Sequence, residues 1–495
     1  MAKSYLAFSA YGQNPSYYLS FPLTPEPMLV LKFGGTSVAN ADAIRQLISI
    51  LLEKKQPRML VVVSAMSKVT DTLISLYQKA AAHDVTYLDL LTQLETKHME
   101  AIEQLVPMSQ QIDIKGRIKM IFRELEDVCR GVYLLDELSD GTKARVMAYG
   151  ERLSSEIVSV AFQHHQLPNT LVDSRDYIQT DNNYLNAKVN LKATYALMQE
   201  NLPQANLIVA PGFISRSADG KTTVLGRGGS DYTASLYAAA LQADLLEIWS
   251  DVDGMYTTDP RKAAAAYSIE ELSYEEAMEL AYFGAKVLYP PTIAPLVAAK
   301  IPLVLKNTFN PGHKGTLISA NPAPSPQNVK GISCIDHIAV LTVSGSGMVG
   351  VPGVAMRLFK AVAVECINIY FITQSSSEQS ITIGLAEVDG EKAVQAISQE
   401  FAEDINQQLL NPVSLETPMS IVAIVGNGMI QQPGIAGKAF SLLGDHRINI
   451  RAIAQGATER IISVVLNTND AHRAVNLLHD HFFVTVPESS AAPVA

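Results

Sequence analysis

Cysteine is scarce in this chain: three in 495 residues, at Cys129, Cys334 and Cys366. They form no CxxC pair and no paired spacing, which excludes a disulfide framework and suits a reducing compartment with the thiols as small core residues. The ten histidines include no HExxH, and no Cys/His cluster suggests structural zinc. Basic residues are outnumbered, 38 against 49 acidic, for a formal charge of −11. That balance argues against general binding to nucleic acid or to anionic membranes. It leaves a nucleotide pocket open, since such a pocket needs only local positive charge. No apolar run is long enough to span a bilayer. Residues 1–27, rich in Tyr, Ser and Pro, lack an apolar core followed by a small-residue cleavage pattern. They read as a disordered extension or an upstream start ahead of Met28, and a cytoplasmic location is expected. The rest is ordinary: 48% hydrophobic and 18% charged residues, and a length that suggests about three domains.

What is present begins with residues 32–38, KFGGTSV, directly after the apolar run 28–31. Glycines let the backbone approach an anion closely and aim N–H groups at it. Lys32 adds a point charge, and Thr36 and Ser37 add hydroxyls. An amphipathic run over 41–52 supplies a helix, so the turn would place phosphate near a helix N-terminus. Taken alone, an ordinary βα turn explains the segment too. Between 28 and 312 apolar strands (58–63, 170–173, 206–210, 245–249, 302–306) alternate with helical segments. That alternation predicts an α/β fold, a largely parallel sheet with helices on both faces.

Four more segments of this region carry chemistry. Residues 64–70, SAMSKVT, follow a strand and either line a pocket or form a plain loop. Residues 149–154, YGERLS, lead into a helix. There Glu151 and Glu156 either complement the helix N-terminus or hold a substrate ammonium. Residues 225–234, LGRGGSDYTA, pack Arg227 and Asp231 among glycines before an apolar helix over 234–241. Arg227 suits bidentate capture of a carboxylate, and Asp231 can orient a lysine or face magnesium. A structural turn needs neither. Residues 249–261 offer acidic, hydroxyl, aromatic and basic groups to a nucleotide, although Asp-Gly and Asp-Pro also form turns.

The C-terminal third repeats itself. An offset of 455 − 374 = 81 pairs Gln374 with Gln455, Gly345 with Gly426, Pro352-Gly353 with Pro433-Gly434, and Glu378 with Glu459, without a gap. Each copy reads as a βαββαβ module, with a proline in the first turn of its first helix. Further helices are expected at 390–400 and 470–479. Residues 345–350, GSGMVG, fit the dinucleotide pattern GxGxxG, but the acidic residue expected about twenty positions on comes only fifteen on, at Glu365. The second copy has Gln431 in place of the third glycine. The resulting divisions are 1–27 extension, 28–318 catalytic domain, 319–329 linker, 330–410 and 411–487 modules, and 488–495 a disordered tail.

KFGGTSV, GERLS, LGRGGSDYTA, DVDGMYTTDPR and FGAKVLYP together resemble the aspartokinases, enzymes of the amino-acid kinase fold, over about Met28 to Val486. The repeat resembles their paired ACT modules. The phrases ITQSSSE and AIAQGATE look most like threonine-regulated bifunctional aspartokinase–homoserine dehydrogenases, although the chain stops where their dehydrogenase domain would begin. Departures are Leu288-Tyr289-Pro290 for the common Leu-His-Pro, Ser250-Asp251 for Thr-Asp, and Ala457-Thr458 for two serines.

The resemblance implies ATP and Mg²⁺ as cofactors and L-aspartate as acceptor. It implies that Lys32 stabilises the transferring phosphoryl group and that Asp231 organises Lys32 or the metal. Gly34, Gly35 and Ser37 would shape the phosphate cradle, with Gly229 and Ser230 opposite. Glu151 would hold the α-ammonium of aspartate and Arg227 its α-carboxylate, with Thr70 and Phe213 nearby. Ser250, Asp251, Tyr256, Arg261 and Lys286 would hold ATP. Gln374 and Gln455, able to donate and accept at once, suit an amino-acid effector. Threonine is expected and lysine is the alternative. A kinase for another acidic amino acid and a non-catalytic amino-acid sensor are the other readings. Exposed sheet edges in the modules lead us to expect a homodimer or higher oligomer.

Overall fold

The computed structural model describes residues 27–54, 56–283 and 288–484. The extension read over 1–27, Pro27 apart, and the tail read over 488–495 lie outside them.

Strands with apolar residues on both faces are covered on both sides, and Met28–Phe33 is buried along its whole length. It pairs in parallel with Arg58–Val63 and with Leu245–Ser250. They form the centre of an eight-stranded sheet ordered Thr170–Leu171, Leu207–Pro211, Arg58–Val63, Met28–Phe33, Leu245–Ser250, Leu303–Asn307, Thr316–Ser319, Glu271–Ser273. Leu29, Leu31 and Phe33 pack into one core, under the helix Ala41–Glu53 among others. Met28 and Val30 pack into a second core on the opposite face, under the helix Gly229–Ala240. The expected sheet is therefore present, with one antiparallel step between Leu303–Asn307 and Thr316–Ser319. Among the described residues no helix is long and apolar enough to cross a membrane.

Two local expectations change. The strand read over 170–173 stops at Leu171. Asp173 leaves the ladder because its carboxylate caps the turn Ser174–Asp176 and pairs with Arg175. The helix read over 234–241 begins five residues earlier, at Gly229. Gly228, at φ 69°, makes the entry turn, so the glycines taken as loop are the first helical turn and its cap.

The repeat forms a second, wholly antiparallel sheet of six strands. Its order is Ile369–Gln374, Ser380–Ala386, Gly331–Ser344, Ser414–Val425, Ile461–Asn467, Ala452–Gln455. The 81-residue offset survives in three dimensions: the helices start at Val354 and Ile435, and the following inner strands at Ser380 and Ile461. The two copies interleave. Residues 331–335 pair with 421–425, while 340–342 pair with 414–416. Each copy thus receives its fourth strand, the sixth element of its βαββαβ order, from the long strand that opens the other. The prolines do not sit in the first helical turn as expected. Gly353 and Gly434, at φ 94° and 91°, are the helix caps, and Pro352 and Pro433 precede them. The dinucleotide pattern is structural. Gly345 and Gly347 lie against the backbone of Leu409, and their strand has antiparallel partners, not a parallel crossover. Gln431 adopts φ 56° where Gly350 adopts 67°, so that turn needs no glycine.

One face of this sheet, with Ile338, Val340, Met419 and Ile421, continues the second core of the eight-stranded sheet. The other face carries the four main helices of the repeat over two separate cores. The six-stranded sheet is therefore packed onto the eight-stranded one rather than tethered to it.

Candidate active site and effector cavity

Open parallel sheets bind ligands beyond the carboxyl ends of their strands. At that edge Lys32, next to last in its strand, points to the same face as Val30, toward the helix Gly229–Ala240. Its Nζ lies 2.7 Å from Asp231 Oδ1 in the first turn of that helix. Both side chains are nearly buried, so the pair is weakly screened. The chain then turns sharply. Gly34 N–H donates to Trp249 O at 3.0 Å, and Gly35 lies so close to the next loop that a Cβ would sit 3.0 Å from Ala65 O.

Lys32, Asp231 and Gly35 line a cavity of 780 Å³. Thr70, Glu151, Phe213, Arg227, Gly229 and Ser230 line it too. Five distant stretches of sequence therefore converge. Glu151 reaches it from the first turn of the helix Tyr149–His164. That helix comes close because Gly150 has no Cβ to strike the Ala65 side chain, which would be 2.8 Å away. Glu151 is 3% exposed and its Oε2 has no hydrogen-bond partner. Burial pushes its carboxyl up to about 8; backbone N–H groups of Ala65 and Glu151 and the charge of Lys32 pull weakly the other way. A buried acid in that condition is poised to lose its proton to solvent when a cation arrives.

Arg227 stands between Gly226 and Gly228, both at positive φ, a conformation that presents the side chain outward from a tight turn. Its guanidinium lies 5.7 Å from the ring centre of Tyr289. The tyrosine that replaces the common histidine thus backs the arginine. Among the described residues Arg227 has no carboxylate partner. Phe213 holds φ 66°, with its N–H on Thr233 Oγ1 at 3.0 Å. A bulky residue in that conformation, at the cavity wall, is strain spent on shaping the site.

The expected nucleotide loop leaves the same sheet edge. Ser250 ends the strand beside Lys32, and Tyr256 bridges to Ser268. Asp251 is exposed, and Arg261 projects into solvent, bidentate to Asp259. Ser250, Asp251, Tyr256 and Arg261 do not line the cavity. Lys286 lies outside the described residues. Ser37 is not brought to the cavity: it is fully buried, and its hydroxyl is 2.7 Å from that of Thr308. Thr36 lines the cavity in its place. Gly34 is held in the strand-end turn behind it. Sequence reasoning missed Met147 and Leu185 as wall residues. Neither stands in a motif, and no signal in the sequence marks them.

Gln374 and Gln455 end the two outermost strands of the six-stranded sheet, yet both line one cavity of 450 Å³. The sheet curls until its edges face each other. Glu279 and Phe283, from the end of the catalytic helix Tyr274–Tyr282 and just beyond it, close the gap. Glu279 is held above its ordinary pKa by burial.

Comparison with known proteins agrees with this architecture. The amino acid kinase family matches residues 27–307, and the ACT domain matches 341–401 and 422–482. A bifunctional aspartokinase/homoserine dehydrogenase of Haemophilus influenzae is 37% identical over 461 residues, 92% of this chain and 56% of the relative. The chain thus spans about half the length of the first such relatives it matches. Lysine-sensitive aspartokinase 3 of Escherichia coli is 30% identical over 92% of this chain and 99% of its own length. The crystal structure of E. coli aspartokinase III in complex with aspartate and ADP superimposes with a TM-score of 0.79, at 30% identity, over 92% of this chain and all of that one. With the catalytic domain, the paired ACT domains and the overall fold all matched, the chain belongs to the amino acid kinase family, among the aspartokinases with paired ACT domains.

Proposed function

We propose that the chain transfers the γ-phosphoryl group of ATP to the β-carboxylate of L-aspartate, giving 4-phospho-L-aspartate and ADP. This is the first step toward lysine, threonine and methionine. The observation that carries the reading is one cavity that joins the Lys32–Asp231 pair to a buried Glu151 whose Oε2 has no partner and to Arg227, which has no carboxylate partner among the described residues. Those last two sites match the ammonium and α-carboxylate of an amino acid. The nucleophile is a carboxylate already ionised at pH 7, so no general base is required. The protein aligns it with the γ-phosphate and offsets charge in the transition state, the work assigned to Lys32. Gly35, Gly229 and Ser230 shape the cradle, and Thr70 and Phe213 bound the substrate. Ser250, Asp251, Tyr256, Arg261 and Lys286 are assigned to ATP. Among the described residues no three His, Cys, Asp or Glu side chains converge as a metal cage. That donor set fits magnesium carried mainly by phosphate oxygens and water, with Asp231 as the neighbouring carboxylate. When bound, the ion would neutralise phosphate charge.

The test is ADP release with aspartate and then with glutamate. Aspartate-dependent release supports the reading. Release with glutamate alone points to a different amino-acid kinase, and none with either points to a sensor. Arg227→Ala is expected to raise KM for aspartate far more than it lowers kcat, since it holds a non-reacting carboxylate.

Feedback by an amino acid at Gln374 and Gln455 is the second part of the proposal. Here the expectation of threonine gives way to lysine. The relative matched over its full length is named for lysine sensitivity, and the cavity holds a Glu279 carboxylate suited to an ammonium group. Gln374→Ala or Gln455→Ala should weaken inhibition by lysine while turnover without lysine stays near wild type. Inhibition by threonine alone would overturn the assignment.

We also infer a homodimer. Val349 and Val351, in the turn before the helix Val354–Val364, and Met356 and Val364 on that helix are 49–70% exposed. Such a patch implies cover by a partner of ~1,000 Å² or more. A monomer by light scattering at micromolar concentration would refute this.

A further inference from the structure

Thr257 and Lys262 stand next to Tyr256 and Arg261 in the nucleotide loop, but they face the other way, into the regulatory unit. The Thr257 hydroxyl lies 2.9 Å from His479 Nε2, at the end of the helix Thr468–His479. Both residues are essentially fully buried. The His479 ring stacks on Phe483, and its Nδ1 has no partner. The Thr257 carbonyl accepts from Ile332 N–H at 2.7 Å. Five residues on, Lys262 Nζ donates to Asp336 Oδ2 at 2.6 Å, and its carbonyl accepts from Asn476 Nδ2 at 2.6 Å. Asp336 sits in a bulge of the strand Gly331–Ser344, where pairing slips between Ile335 and Ile338, and Ser420 Oγ donates to its other oxygen at 2.9 Å.

We propose that Thr257–His479 and Lys262–Asp336 form a two-point clamp through which the regulatory unit sets the affinity for the adenine nucleotide. All four are positioning residues. The inference rests on the reading of residues 250–261 as the ATP loop. Neighbouring residues share a backbone, so moving Thr257 or Lys262 moves Tyr256 or Arg261. None of the four lines the cavity assigned to aspartate. The path back to the effector cavity is short. The strand Ile461–Asn467 pairs with the strand that ends in Gln455 and runs directly into the helix that carries Asn476 and His479. Such a path couples sites only if the helix has two positions that ligands favour differently.

The experiment measures KM for ATP and for aspartate, and equilibrium binding of ADP, in the full chain. His479→Ala and Lys262→Met should raise KM for ATP and Kd for ADP by roughly tenfold, as for a lost buried hydrogen bond or ion pair. KM for aspartate and kcat should stay within about twofold. His479→Gln, whose amide reaches the same hydroxyl, should recover most of the loss. If His479→Ala does not fold, Thr257→Val removes the same bond without emptying a buried site. A folded variant with unchanged nucleotide affinity, or with both KM values rising together, overturns the clamp. If wild type binds ADP and the folded variants bind it equally tightly, the clamp alone is overturned, whereas a wild-type chain that binds no nucleotide overturns the ATP-loop reading and the clamp with it.

Discussion

Lys32→Ala is expected to lower kcat by roughly a hundredfold or more, with a much smaller change in KM for aspartate. Among the described residues the lysine is the cation paired with Asp231 at the sheet edge, and it is nearly buried, so water cannot replace its charge. Interactions of that kind are strongest where negative charge develops, which is why the loss falls on turnover. The variant has a second signature. It leaves the Asp231 carboxylate, 13% exposed, without its partner, and a stranded buried charge destabilises the fold. The expected thermal midpoint is therefore lower, and Lys32→Ala/Asp231→Asn should regain stability without regaining activity. Aspartyl hydroxamate formation and thermal unfolding measure the two effects separately. Wild-type turnover in Lys32→Ala would remove the basis of the active-site assignment.

Glu151→Gln should raise KM for aspartate by roughly a hundredfold, because a charge-assisted bond to the substrate ammonium is lost from a buried site. The pH dependence distinguishes this from a packing defect. With its carboxyl pushed up to about 8 by burial, Glu151 is protonated in the free protein near neutrality. Binding an ammonium requires the ionised form. In wild type kcat/KM for aspartate should therefore climb about tenfold per pH unit below 8 and level off above it. The glutamine variant should lose that limb. Stability carries the opposite sign. Glu151 has a folded pKa above its unfolded one of 4.5, so its contribution is fully present below 4.5 and is lost as pH rises through about 8. Unfolding free energy without aspartate should fall over that window in wild type, more steeply than in Glu151→Gln. A flat wild-type profile for kcat/KM would overturn the assignment of Glu151 to the ammonium.

Much of this site was legible from residue order, and the reason differs by residue. Lys32, Gly35, Glu151, Arg227 and Asp231 stand in short stretches whose composition has few structural uses, and all five reach one cavity. Ser37 was not legible. Its hydroxyl has the right chemistry for phosphate, but the tight turn at Gly34–Gly35 rotates it inward onto Thr308. The start of the helix at Gly229 was misread for a related reason. Glycine weakens a helix interior yet serves well at its entry, and composition does not separate those two positions.

The sequence by itself determined the parallel sheet and the doubled module. Both rest on short-range periodicity: apolar runs buried on both faces, and an 81-residue echo that needs no gap. Tertiary structure alone decided how the halves meet. The exchange of fourth strands between the copies depends on the pairing of residues 331–335 with 421–425, some ninety positions away. The meeting of Gln374 and Gln455 depends on the curl of a whole sheet, and that of Thr257 with His479 on 222 residues of intervening chain. Such contacts follow from the balance of burial over the entire core, to which every strand contributes, and local patterns carry no record of it.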